Sequence, residues 1–132
     1  MFTLHPRLEA ETIFVADWGL SRVLLINDAR YPWLVLVPRR ADLAELHDLN
    51  HAERMVLIEE IARAGRGLKA LTGAEKINVG ALGNLVPQLH VHVVARSAGD
   101  PAWPGHVWGH GTAVPYEAAA LQNIVERLRA SL

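Results

Sequence analysis

The stretch Gln88-Leu89-His90-Val91-His92-Val93-Val94 decides how the chain folds. Neighbouring side chains of a β-strand point to opposite faces, so alternate residues share a face. If this stretch is a strand, one face is apolar and can join a core, and it carries Leu89, Val91 and Val93. The opposite face carries one amide and two imidazoles, those of Gln88, His90 and His92. The polar row lacks the Lys, Glu and Thr that usually face solvent. This favours a functional site over a half-exposed strand that happens to carry histidines.

The segment in front of this strand, Asn78 to Pro87, contains Gly80 and Gly83. Glycine lets the backbone approach a ligand closely, and the amide groups of such a turn can face a phosphate. Two glycines by themselves usually mean only a turn. Next to two histidines on one strand face, they indicate an anionic substrate.

Apolar runs farther upstream predict the other strands. Residues 12–17 and 22–27 flank the turn-like segment 18–21 and predict a hairpin. Residues 33–37 are apolar without alternation and end at Pro38, which predicts a central strand buried on both faces. A fourth strand is predicted by the alternation of Ile77, Val79 and Ala81.

Three helices are predicted from caps and periodicity. Asp42-Leu43-Ala44-Glu45 has the form of a capping box and predicts a short helix to about Leu46. A longer helix runs from near Asn50 to Gly73, with an apolar stripe of Leu57, Ile61, Ala64, Leu68 and Leu71. The last helix follows Pro115, with a stripe of Leu121, Ile124, Val125 and Leu128. Together these elements predict an α+β fold with a mostly antiparallel sheet of about five strands and two main helices.

Length and composition exclude several classes of function. A chain of 132 residues has the size of one domain, so we expect residues 1–132 to form a single domain. A net charge of -1 argues against electrostatically driven binding of a nucleic acid polymer. The chain has no cysteine, which excludes disulfides, thiolate zinc sites and cysteine nucleophiles.

The sequence also predicts where the protein resides. Its longest apolar run, Trp33 to Val37, is far too short to span a membrane. Its first residues lack the apolar stretch of a secretory signal. We therefore expect a cytoplasmic protein with no membrane partner.

Two kinds of chemistry compete for the histidine pair. His-x-His on a strand is a common spacing for chelating a metal. A metal site also needs a third ligand, and His5, His106 and His110 are the available candidates. The other possibility is nucleophilic catalysis, in which one imidazole attacks an electrophile and its neighbour stabilises the transition state. The glycine-containing loop favours the nucleophilic mechanism.

The segment from Asn78 to Arg96 resembles the signature of the histidine triad (HIT) proteins. That signature is a glycine–amide pair, then His-φ-His-φ-His-φ-φ with φ apolar, and a nearby arginine. Paired strands ending in Pro38-Arg39-Arg40, followed by a short and a long helix, extend the resemblance to roughly residues 20–96. The tail with Trp103 and Trp108 is similar to that of bacterial members. Between two roles for these tryptophans, packing a long loop onto the domain or lining a pocket, we favour the packing role.

The resemblance implies a nucleotide-binding enzyme that cleaves phosphoanhydride or phosphoramidate bonds through a nucleotidyl-histidine intermediate. It implies that His90 is the nucleophile, with its other ring nitrogen bonded to a backbone carbonyl, and that His92 lies near the reacting phosphoryl group. Asn84 and the loop amides around Gly83 would bind phosphate. Asn27 would bind the ribose hydroxyls, unless it only ends a strand. The family works without a metal or cofactor and forms homodimers, so we expect the same here.

Two positions depart from the family pattern. Gln88 stands where the first histidine of the triad is expected, and Ala41 where many members carry another histidine. Glutamine forms hydrogen bonds but carries no proton at neutral pH, so we expect Gln88 to orient its catalytic neighbours on the strand face. Two alternatives remain: a nucleotide-binding module with little turnover, and a metal-dependent hydrolase that uses His90 and His92.

Overall fold

A five-stranded antiparallel sheet forms the centre of the computed structural model, which describes residues Met1–Leu132. The strands lie in the order β1-β2-β3-β5-β4. Their bounds are β1 Thr12–Asp17, β2 Ser21–Ile26, β3 Trp33–Pro38, β4 Lys76–Gly80 and β5 Val91–Arg96. The helices are α1 Pro6–Glu11, α2 His51–Thr72 and α3 Ala118–Ser131, with a 3-10 turn at Leu46–Asp48. The α+β fold and the mostly antiparallel sheet predicted from the sequence are confirmed.

The sheet is covered on both faces, which explains why β3 and β5 are buried throughout. Most apolar side chains of β3 and β5 alternate between two hydrophobic clusters, and Val91 belongs to a third. One cluster lies under α2 and α3 and contains Leu34, Leu36, Val93 and Ala95. The other lies under α1 and the segment after β5 and contains Trp33, Val35, Val37 and Val94. His92 has the parity of the second face, so its side chain points away from α2.

Helix α2 begins and ends where its caps predict. The Asn50 side chain accepts from the Glu53 N–H at 2.8 Å, and the Glu53 carboxylate accepts from the Asn50 N–H at 3.1 Å. This reciprocal pair is a capping box, which satisfies two backbone donors at the helix start. At the other end, Gly73 takes the left-handed conformation with φ of 68°. The prediction for this helix is confirmed.

Local predictions near the short turns are wrong by a few residues. Asp42 has φ of 60° and starts no helix. The capping box forms instead between Glu45 and Asp48, because the Asp48 carboxylate accepts from the Ala44 and Glu45 N–H groups at 3.0 and 2.8 Å. The fourth strand ends at Gly80, so Ala81 lies outside it.

The elements at the two termini also differ from the predictions. Helix α3 begins at Ala118, and Pro115 precedes it. Helix α1 was not predicted, since six residues are too few to show a period. The available signals were Pro6 at a first helical position and the cap that the His5 side chain forms by accepting from the Arg7 N–H at 3.1 Å. None of the helices combines the length and hydropathy that a bilayer crossing requires.

Arg96 fastens the long segment after β5 onto the sheet. Its side chain is only 2% exposed. The guanidinium forms a two-point pair with Asp100, at 2.8 and 3.0 Å, and donates to Asn78 Oδ1 at 2.8 Å and the Gly105 carbonyl at 2.7 Å. Hydrogen bonds from Arg96 lower the pKa of the Asp100 carboxyl to about 2. The pair holds the segment that closes one side of the cavity described below.

We expect Asp100→Asn to lower the free energy of unfolding by about 2 kcal/mol at pH 7, because a charged hydrogen-bond acceptor is lost. The folded-state pKa of Asp100 lies below its usual 3.8, so its contribution is present above pH 4 and is lost as the pH falls toward 2. The difference between the native protein and Asp100→Asn should therefore shrink as the pH is lowered through this range, measured by urea unfolding. Asp42→Asn, at an exposed carboxylate, is the control. An unchanged difference at pH 2.5 would contradict the role of the pair.

Candidate active site

His90 and His92 line one cavity of about 720 Å³. Its walls come from α1, the end of β2, the loop 82–86 and the segment 107–113. Residues that are far apart in sequence therefore meet at the histidine pair. Among the residues singled out from the sequence, Asn27, Gly83, Asn84 and Trp108 also line this cavity.

His92 is buried on β5, with only 8% of its surface exposed. Its Nδ1 lies 2.9 Å from Nε1 of Trp33. An indole N–H only donates, so Nδ1 of His92 must be the unprotonated acceptor. Burial, and secondarily the nearby His90, lower the pKa of His92 to about 4. At pH 7 His92 is therefore neutral, and its single proton is on Nε2.

His90 is held in the opposite tautomer. Its Nδ1 lies 2.6 Å from the backbone carbonyl oxygen of Gln88. A carbonyl only accepts, so Nδ1 of His90 carries the proton, and the neutral ring has its lone pair on Nε2. This is the backbone contact expected for the nucleophile. The His90 and His92 rings are adjacent, with centroids 5.0 Å apart and planes at 68°.

The tautomers make the two histidines complementary. Nε2 of His90 offers an electron pair, and Nε2–H of His92 offers a hydrogen-bond donor. Such a pair can attack an electrophilic centre and stabilise the negative charge that develops on its oxygens.

Trp108 closes the site over His92. Its ring makes edge contacts with His92, at a centroid distance of 5.6 Å, and with Trp33, at 6.4 Å. Gly80, the partner of His92 on β4, makes room for it, since a Cβ at Gly80 would lie 2.9 Å from the Trp108 ring. Trp108 thus packs the long loop onto the body, as expected, and also lines the cavity. The tryptophan contact explains why this position of β4 is a glycine.

The loop in front of His90 offers backbone donors to a ligand. The N–H groups of residues 82–85 donate to no acceptor within the protein. Gly83 has φ of 74°, a left-handed conformation that suits glycine. Successive free N–H groups of this kind can bind an anion. The structure places the predicted phosphate-binding residues Gly83 and Asn84 beside His90 and His92 in the same cavity.

Asn27, which comes immediately after β2, also lines the cavity. Its Oδ1 accepts from the Tyr116 N–H at 2.9 Å. The carbonyl half of the side chain is thus engaged in anchoring the segment before α3. Both sequence-based interpretations fit: Asn27 follows the end of a strand, and its amide nitrogen remains available to a ligand.

The prediction that Gln88 shares a strand face with the two histidines is wrong. Strand β5 begins at Val91, and the Gln88 side chain lies outside the cavity that His90 and His92 share. Its oxygen accepts from the His5 N–H at 2.8 Å, and its nitrogen donates to the Thr3 carbonyl at 2.9 Å. The backbone of the N-terminal segment thus binds this amide, a contact that the sequence does not predict.

The third-ligand candidates for a metal do not assemble around the pair. His110 lines the cavity, His106 packs against Trp108 with a ring distance of 6.0 Å, and His5 caps α1. Nowhere in the chain do three His, Asp or Glu side chains come together in an arrangement that can hold a metal ion.

Trp33 is the site residue that sequence reasoning missed. Its place in an apolar run assigned it only to the core. A signal was present, because a buried indole N–H needs an acceptor, and few acceptors lie near an apolar strand. Naming His92 as that acceptor required the register of β3 against β5.

An antiparallel α+β fold that presents two adjacent histidines beside a loop of free amides is an arrangement suited to an anionic ligand. The comparison with family models gives the particular family: the HIT domain model matches residues 7–99, and the chain belongs to this family.

Solved structures and curated relatives agree with the family. A histidine triad protein from Bradyrhizobium japonicum is 49% identical, with a TM-score of 0.96 over 98% of this chain and 97% of that one. One from Sinorhizobium meliloti is 49% identical, with a TM-score of 0.97 over 99% and 97%. The AP-4-A phosphorylase of two Mycobacterium tuberculosis strains is 35% identical over 109 residues, which are 75% of this chain and 54% of that protein. The chain spans about half the length of these curated relatives.

We expect Gly80→Ala to raise the pKa of His92 from about 4 toward its usual 6.5. The added methyl displaces the Trp108 ring, water reaches the imidazole, and the charged form becomes less costly. An NMR titration of the His92 ring measures the change. Gly19→Ala is the matched control, because nothing lies within 4 Å of a Cβ at that position. A folded Gly80→Ala protein with an unchanged His92 pKa would show that Trp108 does not exclude water from the His92 ring.

Proposed function

We propose that this protein is a nucleotidyl hydrolase or transferase that cleaves a phosphoanhydride or phosphoramidate bond of a nucleotide through a nucleotidyl-His90 intermediate. The observation that carries the proposal is the pair of opposite tautomers, with a lone pair on His90 Nε2 and a proton on His92 Nε2 in the same cavity. Membership in the HIT family supports it.

In the first step, Nε2 of His90 attacks the α-phosphorus and forms a P–N bond. The bond from phosphorus to the leaving group breaks, and the leaving group departs with the electron pair. The positive charge that develops on the His90 ring is shared by its Nδ1–H with the Gln88 carbonyl 2.6 Å away. The Nε2–H of His92 donates to a phosphoryl oxygen. In the second step, water or another acceptor attacks phosphorus and forms a P–O bond. The P–N bond breaks, its electron pair returns to Nε2 of His90, and the proton of the acceptor passes to solvent.

The cavity supplies contacts for the rest of a nucleotide. The free amides of the loop 82–85 and the Asn84 side chain belong to residues that line the cavity, and in this proposal they bind the phosphate oxygens. The apolar residues Leu8, Ile26 and Val107 line the same cavity and offer surface to a nucleoside, with Asn27 near its ribose. The name of the curated relatives, AP-4-A phosphorylase, supports a dinucleoside polyphosphate as substrate, and a nucleoside phosphoramidate fits the same chemistry.

Mixing the native protein with adenosine 5′-phosphoramidate should give a protein–nucleotide adduct in intact-protein mass spectrometry. We expect His90→Ala to abolish the adduct, because it removes the proposed nucleophile. His92→Ala should slow its formation by about 100-fold, the typical loss when one donor to a developing oxyanion is removed. Rapid mixing with acid quench measures both rates.

His51→Ala, which removes an exposed imidazole at the first position of α2, is the matched control and should react like the native protein. An adduct of equal amount on His90→Ala would refute the assignment of the nucleophile. No adduct on the native protein, with nucleotide binding retained, would favour the binding module with little turnover. Activity lost to chelators and restored by zinc would favour the metal-dependent hydrolase.

We also propose that two copies of the chain pair as a homodimer through β4 and the outer side of α2. Strand β4 is at the edge of the sheet and exposes Val79, and α2 exposes Met55 and Ile58 beyond the core. An uncovered strand edge with apolar side chains is a pairing surface.

Light scattering at micromolar concentration should therefore report a dimer for the native protein and a monomer for Val79→Arg. Val114→Arg is the control on a distant surface, since Val114 is 51% exposed and Val79 is 50% exposed. A monomeric native protein, or a Val79→Arg dimer of undiminished stability, would overturn this proposal.

A further inference from the structure

The Gln88 side chain joins the N-terminal segment to the loop that carries His90. One end of its amide accepts from the His5 N–H at 2.8 Å, and the other end donates to the Thr3 carbonyl at 2.9 Å. The amide thus accepts from one backbone group and donates to another, as the backbone of an adjacent β-strand would. The contact bridges more than 80 positions of sequence, 83 for His5 and 85 for Thr3.

The backbone of the same residue sets the tautomer of His90. The Gln88 carbonyl is the acceptor for Nδ1–H of His90 at 2.6 Å. Residues 88–90 precede β5 and lie outside its registers with β3 and β4, so no ladder hydrogen bond fixes that carbonyl. The Leu89 N–H belongs to the same planar peptide group as that carbonyl and donates to the Leu43 carbonyl at 2.9 Å. The peptide is thus held at its N–H by Leu43, and at the Cα of Gln88 by the contacts of the Gln88 side chain.

The N-terminal segment is itself anchored at the active site. His5 is the cap of α1, and Arg7 and Leu8 of that helix line the main cavity. A separate cleft behind Gln88 is lined by Met1, Thr3 and Ala41. Both departures from the family pattern, Gln88 and Ala41, thus line one cleft together with residues of the N-terminal segment.

We propose that Gln88 is a positioning residue: its amide, anchored on the backbone of Thr3 and His5, holds the Gln88 carbonyl in the orientation that keeps His90 in its Nδ1–H tautomer. Gln88 touches no reacting atom. The role needs an acceptor and a donor on one side chain, which glutamine supplies. Glutamate retains only the acceptor, and leucine has neither. The effect on rate rests on the proposed function, whereas the effect on the tautomer does not.

The first test compares Gln88→Leu and Gln88→Glu with the native protein, and uses Gln122→Leu as control. Gln122 is on α3, where its amide reaches only Glu126 at 3.3 Å. Nitrogen-15 NMR of the His90 ring reports the tautomer in the free protein. We expect the Nδ1–H form in the native protein and in Gln122→Leu, mixed tautomers in Gln88→Leu, and an intermediate state in Gln88→Glu.

The rate of adduct formation should follow the tautomer. We expect Gln88→Leu to lower the maximal rate by about 10-fold, less than the roughly 100-fold that a 1 Å misplacement can cost. The nucleotide concentration at half-maximal rate should stay unchanged, because Gln88 is outside the main cavity. A purely structural role would instead lower the melting temperature without a change of tautomer.

A second pair of variants isolates the backbone contact. His5 has φ of -56°, which proline adopts without strain. His5→Ala removes the imidazole and retains the N–H that Gln88 accepts, whereas His5→Pro removes both. Relative to His5→Ala, we expect His5→Pro to lower both the fraction of His90 in the Nδ1–H tautomer and the rate of adduct formation. In the Gln88→Leu background this difference should disappear, since the two changes remove the same hydrogen bond.

Two results would overturn the proposal: a native His90 tautomer in folded Gln88→Leu, or a difference between His5→Pro and His5→Ala that persists without Gln88. If Gln88→Leu fails to fold, Gln88→Glu and the His5 pair decide the question. A native protein that shows the expected tautomers but forms no adduct would defeat the proposed function alone.

Discussion

The hydrogen bond from the Trp33 indole to His92 is the interaction on which the site depends. Because the indole can only donate, it leaves His92 one place for its proton, on Nε2. Burial keeps a second proton away by lowering the pKa to about 4. Part of that burial comes from the Trp108 ring, which fits there because Gly80 has no side chain. His92 is thus a fixed neutral donor at pH 7, and its neighbour His90 is left as the group with an available electron pair.

The sheet makes this hydrogen bond geometrically possible. Val35 pairs with His92 and Trp33 with Val94, so Trp33 and His92 are diagonal neighbours on adjacent strands. Diagonal neighbours lie within reach of long aromatic side chains. Arg96, four residues farther along β5 from His92, secures the segment that carries Trp108. Strand β5 therefore carries both His92 and Arg96, which anchors the segment that shields His92 from water.

Sequence periodicity was sufficient for the sheet and α2, because both have long apolar patterns and α2 has caps at Asn50 and Gly73. The His90 and His92 positions were also within reach, since a polar row on an apolar strand is unusual. Contacts between distant segments were not. The partner of Trp33 depends on strand register, and the partners of Gln88 are backbone groups of Thr3 and His5, which no side-chain pattern reveals.

A crystal structure with adenosine 5′-monophosphate tests the central claim most directly. The account predicts phosphorus in front of Nε2 of His90, Nε2 of His92 within hydrogen-bond distance of a phosphate oxygen, and further phosphate oxygens on the amides of residues 82–85. The Trp33–His92 and Gln88–His90 hydrogen bonds should persist unchanged. A phosphate bound elsewhere in the cavity, or a His90 ring turned so that Nδ1 faces phosphorus, would contradict it.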